Sequence, residues 1–300
     1  MRAAAFAEPG PPDVLALHEL PEPQAGPGQV RVRVKAAGVQ PFDVRLRRGW
    51  VPPFVTVTLP QIPGNEFAGV VDQGTAEVPA GTEVLGFSVF NAYAQYVVVP
   101  ADQVAPKPAN VSWEVAGGFT AGWQTARLAL SALQVGPGDT VLINAAAGAT
   151  GTAGVQLARL LGASVIGTAS ESNQDYVRSL GATPVVYGEG LADRVRALAP
   201  QGITAAIDGA GGAALETSLE LVADRQRILT LVAHDRIEEL GLASIQGRRS
   251  AEALAELIGL HAAGTTSWLV RRVYPLAEAA EAHREIETGH GRGKIVLAID

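Results

Sequence analysis

The feature that most constrains the fold is an alternation of apolar runs and amphipathic segments that begins near residue 140. The apolar runs have the length of buried strands, and helical spacing of apolar residues follows most of them. The runs are TVLINAA (140–146), SVIGTAS (164–170), AAIDGAG (205–211) and RILTLVA (227–233). Strands that alternate with helices form a parallel sheet with helices on its faces. The sequence therefore predicts an α/β domain with a doubly wound parallel sheet.

A different pattern precedes this domain. Before residue 110, short β-rich runs such as QVRVRVKAAGV (29–39) and AQYVVVP (94–100) are separated by prolines and glycines, which is typical of an antiparallel sheet or barrel. The chain has 300 residues, and single hydrophobic cores stop growing at about 250–300 residues, so two domains are expected. The stretch 272–300 adds one amphipathic helix and a last strand.

Composition excludes several classes of function. The formal net charge of -7 disfavours binding to nucleic acids or to anionic membranes. No apolar run approaches the roughly 20 residues of a membrane-spanning helix, and the N-terminus lacks the apolar core of a signal peptide. The absence of cysteine excludes disulfides, thiolate ligands and cysteine nucleophiles. We therefore expect a cytoplasmic protein whose partner is a small-molecule substrate, with no nucleic-acid or membrane partner.

The turn after the first run carries a phosphate-binding pattern. Ala146, Gly148 and Gly151 form A-x-G-x-x-G between a strand and a helical segment. In such a turn the small first residue permits a tight bend, the second lets the backbone approach a pyrophosphate, and the third lets helix and strand pack closely. The amides of Ala149 and Thr150 would meet the phosphates at the helix N-terminus. The alternative is a turn of small residues without a ligand, but the strand–turn–helix context favours a dinucleotide.

The end of the next strand indicates which nicotinamide cofactor binds. NAD sites usually carry an acidic residue there, about 20 residues further on, which binds the 2′-hydroxyl of the ribose. Here Thr168 and Ser170 are uncharged, and the first acidic residue is Glu171. An uncharged strand end leaves room for a 2′-phosphate, so NADPH is the predicted cofactor, with Ser170 and Asn173 as ligands. The alternative is that these two residues only cap the following helix, although both roles can coexist.

Several collinear segments together cover nearly the whole chain. They are VKAAGVQPFDVRLRRG, PQIPGNEFAGVV, AQYVVVPADQVAPKP, AAAGATGTAGVQLARLLGASVIGT, the GA of LGATPVVYG, and GRGKIVL. This set resembles the medium-chain dehydrogenase/reductase superfamily, in its zinc-independent branch of quinone oxidoreductases and enoyl reductases. The resemblance implies a GroES-like partial β-barrel domain of residues 1–112 and 268–300, a Rossmann domain of residues 113–267, and an active cleft between them.

The resemblance also implies a homodimer in which the last strands of two Rossmann sheets pair. The candidate edge segments are RILTLVA and TTSWLVRRV (265–273), since an exposed apolar edge would otherwise invite aggregation.

The same resemblance indicates whether the protein binds zinc. The zinc-dependent branch has Gly-His-Glu where this chain has Gly64, Asn65 and Glu66, and it has a cysteine where this chain has Gln40. Zinc needs several nitrogen or sulfur ligands in a tetrahedral array, which Gln40 and Asn65 do not provide. The five histidines are scattered without metal-ligand spacing. No metal is expected.

The implied reaction is hydride transfer from NADPH to a quinone or to the β-carbon of an α,β-unsaturated carbonyl compound. The protein must then stabilise the carbonyl oxygen where negative charge develops. Gln40 stands where relatives often have Asn, and Arg45 where they have Tyr or Lys, so these are the candidate catalytic residues. The alternatives are a loop hydrogen bond for Gln40 and a solvated charge for Arg45, since a guanidinium is a poor proton donor. Asp43 is expected to hold this loop through Arg45 or Arg47.

Three aromatic residues depart from the family. Trp50 stands where many relatives have a smaller residue or tyrosine, and Phe119 and Trp123 replace smaller residues of a helix that begins beside the nicotinamide in the family. We assign all three to substrate binding, with core packing as the alternative for Phe119 and Trp123.

The resemblance adds further cofactor residues. Tyr187 matches the family tyrosine that lies against the adenosine, and Lys294 in GRGKIVL is also assigned to the cofactor. The family's 2′-phosphate lysine, however, falls at Asn173.

Three classes of function remain open. The leading prediction is an NADPH-dependent reductase of quinones or α,β-unsaturated carbonyl compounds. The alternatives are a natural-product pathway enzyme that catalyses a reduction-coupled or non-redox cyclisation, and a non-enzymatic NADPH-binding protein. The net charge argues against RNA binding, and the glycine turn argues against loss of the cofactor.

Overall fold

The computed structural model describes residues 1–52, 55–289 and 291–300. Contacts within the chain divide it into two compact units. Unit 1 contains Met1–Ala121, Ser250–His290 and Lys294–Asp300, and unit 2 contains Gly122–Arg249 and Gly291–Gly293.

The secondary structure is mixed α/β throughout. In chain order the strands are β1 (Arg2–Ala5), β2 (Ala16–Glu19), β3 (Gln29–Val39), β4 (Glu66–Gln73), β5 (Glu83–Phe87), β6 (Tyr96–Pro100), β7 (Val104–Pro106), β8 (Thr140–Ile143), β9 (Ser164–Ala169), β10 (Thr183–Val186), β11 (Ala205–Asp208), β12 (Ile228–Thr230), β13 (Val270–Pro275) and β14 (Lys294–Ala298). The helices are α1 (Pro41–Arg47), α2 (Trp113–Gly117), α3 (Thr120–Ala132), α4 (Ala149–Leu160), α5 (Gln174–Ser179), α6 (Leu191–Leu198), α7 (Gly212–Leu221), α8 (Ile237–Leu240), α9 (Ala251–Ala262) and α10 (Ala279–Glu287).

Unit 1 is built on a seven-stranded, mostly antiparallel sheet. Its strand order is β13-β14-β3-β4-β5-β7, and β6 also pairs with β3. The central strand β3 alternates as the sequence predicts, with Val32 and Val34 buried and Arg33 exposed. Buried strand residues pack with Phe67, with Tyr93 and with Ala282 of α10 in one hydrophobic core.

Unit 2 contains the predicted parallel sheet. Its order is β10-β9-β8-β11-β12, and all neighbours run parallel. The predicted apolar runs form β8, β9, β11 and β12, and β10 adds an edge strand. The core combines Leu142, Ile166 and Ile228 from the sheet with Val195 of α6 and Leu215 of α7. The prediction of an antiparallel domain combined with a doubly wound parallel sheet is confirmed.

Parts of the chain group elsewhere than the sequence suggested. The stretch TTSWLVRRV was proposed as an edge of the Rossmann sheet, but β13 pairs with β14 in the sheet of unit 1. Helices α2 and α9 lie within residues 113–267, which were expected to form the dinucleotide-binding domain, and both group with unit 1. The reason is that α9 contacts β7, and the side-chain amide of Asn110 donates to the carbonyl oxygen of Ala262 at 2.9 Å.

Candidate functional site

The glycine turn of unit 2 joins β8 to α4. Ala145 has a left-handed backbone with φ of 58°, and its carbonyl oxygen accepts from the amide of Gly148 at 3.0 Å. Helix α4 then begins at Ala149. The first amides of an α-helix have no acceptor within the helix. Those of Ala149, Thr150 and Gly151 are therefore suited to an anion, which the positive end of the helix dipole also attracts.

The two glycines of the turn have different roles. A Cβ atom on Gly151 would lie 2.2 Å from the carbonyl oxygen of Ala145 and 2.6 Å from the Cα atom of Ala146. A side chain there would push α4 away from the turn. A Cβ atom on Gly148 would meet only the carbonyl oxygen of Ala145, at 3.3 Å, among described atoms within 4 Å. Gly151 thus permits the close packing of helix and turn, whereas Gly148 leaves space for a ligand to approach.

Thr168 connects the end of β9 to this turn. Its carbonyl oxygen accepts from the amide of Ala146 at 2.9 Å, and its hydroxyl accepts from the amide of Ala145 at 3.2 Å. The residue is buried. Thr168 therefore fixes the turn, a role that sequence reasoning missed although a buried hydroxyl at a strand end needs such partners.

The uncharged strand end continues with Ser170 and Asn173. The side-chain amide of Asn173 donates to the hydroxyl of Ser170 at 3.0 Å. Both residues occupy N-cap positions, Ser170 before a 3₁₀ turn and Asn173 before α5. In the described part of the chain neither side chain makes a capping hydrogen bond, so the geometry does not match the capping alternative. The first acidic residue, Glu171, is exposed.

Tyr187 is about half exposed on the loop after β10. Arg194 of α6 holds this loop, since its guanidinium donates to the carbonyl oxygens of Val186 at 3.0 Å and of Glu189 at 2.7 Å. Sequence reasoning missed Arg194 because its acceptors are backbone atoms.

In unit 1 the two residues at the zinc-ligand positions come together. The side-chain amide of Gln40 donates to the side-chain oxygen of Asn65. Gln40 is the N-cap of α1, and its backbone amide donates to Oδ2 of Asp43 at 3.0 Å. The loop hydrogen bond proposed as the alternative role of Gln40 is therefore present, and it leaves one of the two N–H groups of its amide for another acceptor.

Asp43, in the first turn of α1, is fully buried. Its carboxylate also accepts from the amide of Gly64 at 3.1 Å and from the hydroxyl of Tyr93 at 2.9 Å. Burial raises the pKa of Asp43 to about 7, although the Tyr93 and Gly64 hydrogen bonds lower it. Gly64 has φ of 94°, and a Cβ atom there would lie 2.4 Å from the ring of Tyr93. Only glycine therefore lets Tyr93 approach Asp43.

The expectation that Asp43 acts through Arg45 or Arg47 is wrong. Arg47 is fully buried and pairs with Glu287 of α10. Arg45 lies over an aromatic ring, with its guanidinium carbon 4.1 Å from the ring centroid of Trp50. Backbone amides and a phenol, rather than guanidinium groups, satisfy the carboxylate of Asp43.

A buried histidine contacts the same phenol. Nε2 of His283 lies 3.4 Å from the hydroxyl of Tyr93. Burial and the positive charge of Arg47 lower the pKa of His283 to about 3. The ring is therefore neutral at ordinary pH.

The three aromatic residues assigned to substrate differ in exposure. Trp50 is 36% exposed, whereas Phe119 and Trp123 have no exposed surface. Phe119 packs edge-on against Trp268, with ring centroids 5.7 Å apart. The geometry of Phe119 and Trp123 matches the core-packing alternative, and their assignment to substrate stays a prediction.

Lys294 lies in the interior of unit 1. Its Nζ is 2.6 Å from Oε1 of Glu66, and Oε2 of Glu66 accepts from the amide of Ala121 at 2.6 Å. The ammonium group is thus bound by a carboxylate within unit 1, and its assignment to the cofactor stays a prediction.

Within residues 1–52, 55–289 and 291–300, no group of three or more His, Cys, Asp or Glu residues is placed to hold a metal ion. His290, one of the scattered histidines, lies outside the described residues. In the same part of the chain, no helix combines the length and apolar character that a membrane crossing requires.

Comparisons with known proteins agree with this architecture. Residues 26–109 match the family model described as alcohol dehydrogenase GroES-like domain, and residues 180–297 match the model described as zinc-binding dehydrogenase. The quinone oxidoreductase from Coxiella burnetii is 30% identical, with a TM-score of 0.90, over 100% of this chain and 99% of that one. Mycobacterial Rv1454c, solved in complex with NADPH, is 30% identical with a TM-score of 0.86, over 99% of this chain and 100% of that one.

A natural-product synthase also contains a similar segment. The pikromycin polyketide synthase component PikAII of Streptomyces venezuelae is 31% identical over 98% of this chain. The chain spans only 8% of the length of that protein.

The GroES-like model falls on unit 1, the dehydrogenase model covers β10–β12 of the parallel sheet and the C-terminal part of unit 1, and the similarity to solved oxidoreductases extends over the length of both chains. The chain therefore belongs to the medium-chain dehydrogenase/reductase superfamily of oxidoreductases.

Proposed function

We propose that this chain is an NADPH-dependent oxidoreductase that reduces quinones or α,β-unsaturated carbonyl compounds by hydride transfer without zinc. The observation that carries the proposal is the hydrogen-bonded amide pair of Gln40 and Asn65, which occupies the positions of a cysteine and a histidine in the zinc-dependent branch. The full-length similarity to a quinone oxidoreductase supports the class of acceptor.

The turn of unit 2 fits the pyrophosphate of the cofactor. The space beside Gly148 and the amides of Ala149, Thr150 and Gly151 would bind it, with Ala146 at the bend. When bound, NADPH supplies the hydride, and the protein orients it. The NADPH complex of Rv1454c supports this choice of cofactor.

The uncharged strand end favours the phosphorylated cofactor. Ser170 and Asn173 would donate to the 2′-phosphate, and Tyr187 would lie against the adenosine. Calorimetric titration should therefore give a lower Kd for NADPH than for NADH. Equal or reversed affinities would contradict this choice.

The residues of unit 1 would stabilise charge on the acceptor. The second N–H of the Gln40 amide can donate to a carbonyl oxygen, and Arg45, held over Trp50, supplies positive charge. Both act where an oxyanion develops during hydride transfer. Elemental analysis of the purified protein should find no stoichiometric zinc, and chelators should not change its activity. One zinc per chain would refute the zinc-free reaction.

The reaction itself is tested by following NADPH oxidation with a panel of quinones and α,β-unsaturated ketones and aldehydes. Turnover of at least one class is expected. If NADPH binds but no acceptor is reduced, the second candidate applies: a natural-product pathway enzyme that catalyses a reduction-coupled or non-redox cyclisation. The match to a segment of a polyketide synthase favours that candidate over a non-enzymatic NADPH-binding protein.

We further propose that the protein is a cytoplasmic homodimer. Strand β12 forms an edge of the parallel sheet, and pairing of two such edges would extend the sheet across a two-fold axis. Light scattering at micromolar concentration should give twice the chain mass, and a monomer would contradict the dimer.

A further inference from the structure

A second segment of the chain lies on the glycine turn. Gly291–Gly293 belongs to unit 2 although it is far from the turn in sequence. The amide of Gly293 donates to the carbonyl oxygen of Ala147 at 3.0 Å, and Gly293 forms a parallel bridge with Gly148. The backbone next to Gly293 is therefore fixed beside the residues assigned to the pyrophosphate, and that neighbouring residue is Arg292.

The side chain of Arg292 rests on an aromatic ring that contacts the same helix end. Its guanidinium carbon lies 5.5 Å from the ring centroid of Tyr176. The hydroxyl of Tyr176 is 3.0 Å from the hydroxyl of Thr152, in the first turn of α4. Burial raises the pKa of Tyr176, whereas the Thr152 hydrogen bond and the positive charge of Arg292 lower it. The guanidinium is therefore close to the start of α4.

The charge of Arg292 has no acidic partner among the residues that the structure describes. Arg292 is exposed, and within residues 1–52, 55–289 and 291–300 no carboxylate forms an ion pair with it. By contrast Arg178, on the same helix as Tyr176, pairs with Asp175. An unbalanced guanidinium next to free helix amides is the combination that binds phosphate oxygens, because its planar fork donates two parallel hydrogen bonds.

We propose that Arg292 binds a phosphate group of the dinucleotide and supplies the positive charge that Asn173 does not. This inference rests on the proposed function, since it needs NADPH or NADH in unit 2. Both the pyrophosphate and the 2′-phosphate present phosphate oxygens that a guanidinium can bind. A comparison of NADPH with NADH distinguishes the two groups, because only NADPH has the 2′-phosphate.

The test is calorimetric titration of NADPH and NADH into the full-length protein and into Arg292→Ala. Loss of a charge-assisted hydrogen bond should weaken binding roughly 10- to 100-fold. An equal loss for both cofactors identifies the pyrophosphate as the partner, and a loss for NADPH alone identifies the 2′-phosphate. Arg292→Lys keeps the charge without the planar fork and should weaken binding less than alanine does.

Arg178→Ala is the matched control, because it removes an exposed arginine from the neighbouring helix. It should change either Kd by less than about twofold. The proposal is overturned if Arg292→Ala binds both cofactors as the wild type does, or if Arg178→Ala weakens them as much. Unchanged melting temperatures of the variants confirm that binding, not folding, is measured. If the wild-type protein binds neither cofactor, it is the proposed function that fails.

Discussion

The hydroxyl of Tyr93 donates to the buried carboxylate of Asp43 at 2.9 Å, and this contact links the first turn of α1 to the segment before β6, 50 positions further along the chain. The same carboxylate accepts the backbone amides of Gln40 and Gly64. The segments that carry Gln40 and Asn65 are therefore held by one side chain. The hydrogen-bonded amide pair of Gln40 and Asn65 therefore owes its geometry to Asp43 and Tyr93.

Tyr93→Phe should destabilise the protein by roughly 1–3 kcal/mol. The substitution keeps the ring but removes a donor from a buried carboxylate, which then keeps only the backbone amides of Gln40 and Gly64 as partners. Removing a hydrogen bond that favours the ionised form should also raise the pKa of Asp43 further. Urea unfolding at pH 8 measures the loss. Tyr96→Phe is the control, since Tyr96 is half-buried and its ring contacts Arg31, and a loss as large in this variant would contradict the role of Tyr93.

Two buried groups should make stability depend on pH in opposite directions. Burial lowers the pKa of His283 from 6.5 to about 3, so its contribution to stability is lost as the pH falls from about 6.5 towards 3. Burial raises the pKa of Asp43 from 3.8 to about 7, so its contribution is present below about pH 4 and lost as the pH rises towards 7. Between about pH 4 and 6.5 the two groups therefore change the free energy of unfolding in opposite directions.

His283→Gln separates these contributions. Glutamine keeps a polar partner for Tyr93 but does not titrate. Relative to the wild type, the free energy of unfolding of the variant should therefore increase as the pH falls from 6 to 4, by up to about 1.4 kcal/mol per pH unit. Unfolding curves at several pH values give this difference. A difference that stays constant over the range would show that His283 is not held neutral.

The parallel sheet and its glycine turn were predictable because their signals are local. Apolar runs and the spacing of Ala146, Gly148 and Gly151 lie within a few residues of one another. The hydrogen-bond partners of Asp43 could not be predicted. The arginines close to it in the sequence were the expected partners, but backbone amides and Tyr93 bind it instead. Arg47 pairs with Glu287, 240 positions away, and no local sequence pattern predicts a contact between residues so far apart in the chain. The place of Arg292 could not be predicted either, because its contact with Tyr176 exists only in the fold.

The two glycines of the turn should respond differently to substitution. Gly151→Ala places a Cβ atom against the backbone of Ala145. It should therefore lower the free energy of unfolding by about 1–3 kcal/mol and weaken the binding of NADPH and of NADH alike. Gly151→Asp adds a carboxylate and should abolish binding of both. Gly148→Ala brings its Cβ atom to a tight 3.3 Å from the carbonyl oxygen of Ala145, so it should destabilise the protein much less than Gly151→Ala does, yet bind both cofactors roughly tenfold more weakly. Thermal unfolding and titration of each variant check this, and normal binding by Gly151→Ala would contradict the structure of the turn.

Gln40→Ala and Arg45→Ala test the chemistry in unit 1. If these side chains act on the developing oxyanion, kcat should fall about 10²–10³-fold for the loss of such a donor, while the Kd of NADPH stays within about twofold. Gln40→Ala retains the bond to Asp43 because that bond uses the backbone amide, so the fold is preserved. Arg48→Ala is the control for Arg45, since Arg48 is exposed and pairs with Glu287, and it should leave kcat unchanged. Initial rates of NADPH oxidation with the best quinone or enone give kcat for all three variants. Wild-type kcat in both Gln40→Ala and Arg45→Ala would show that neither side chain takes part in the reaction.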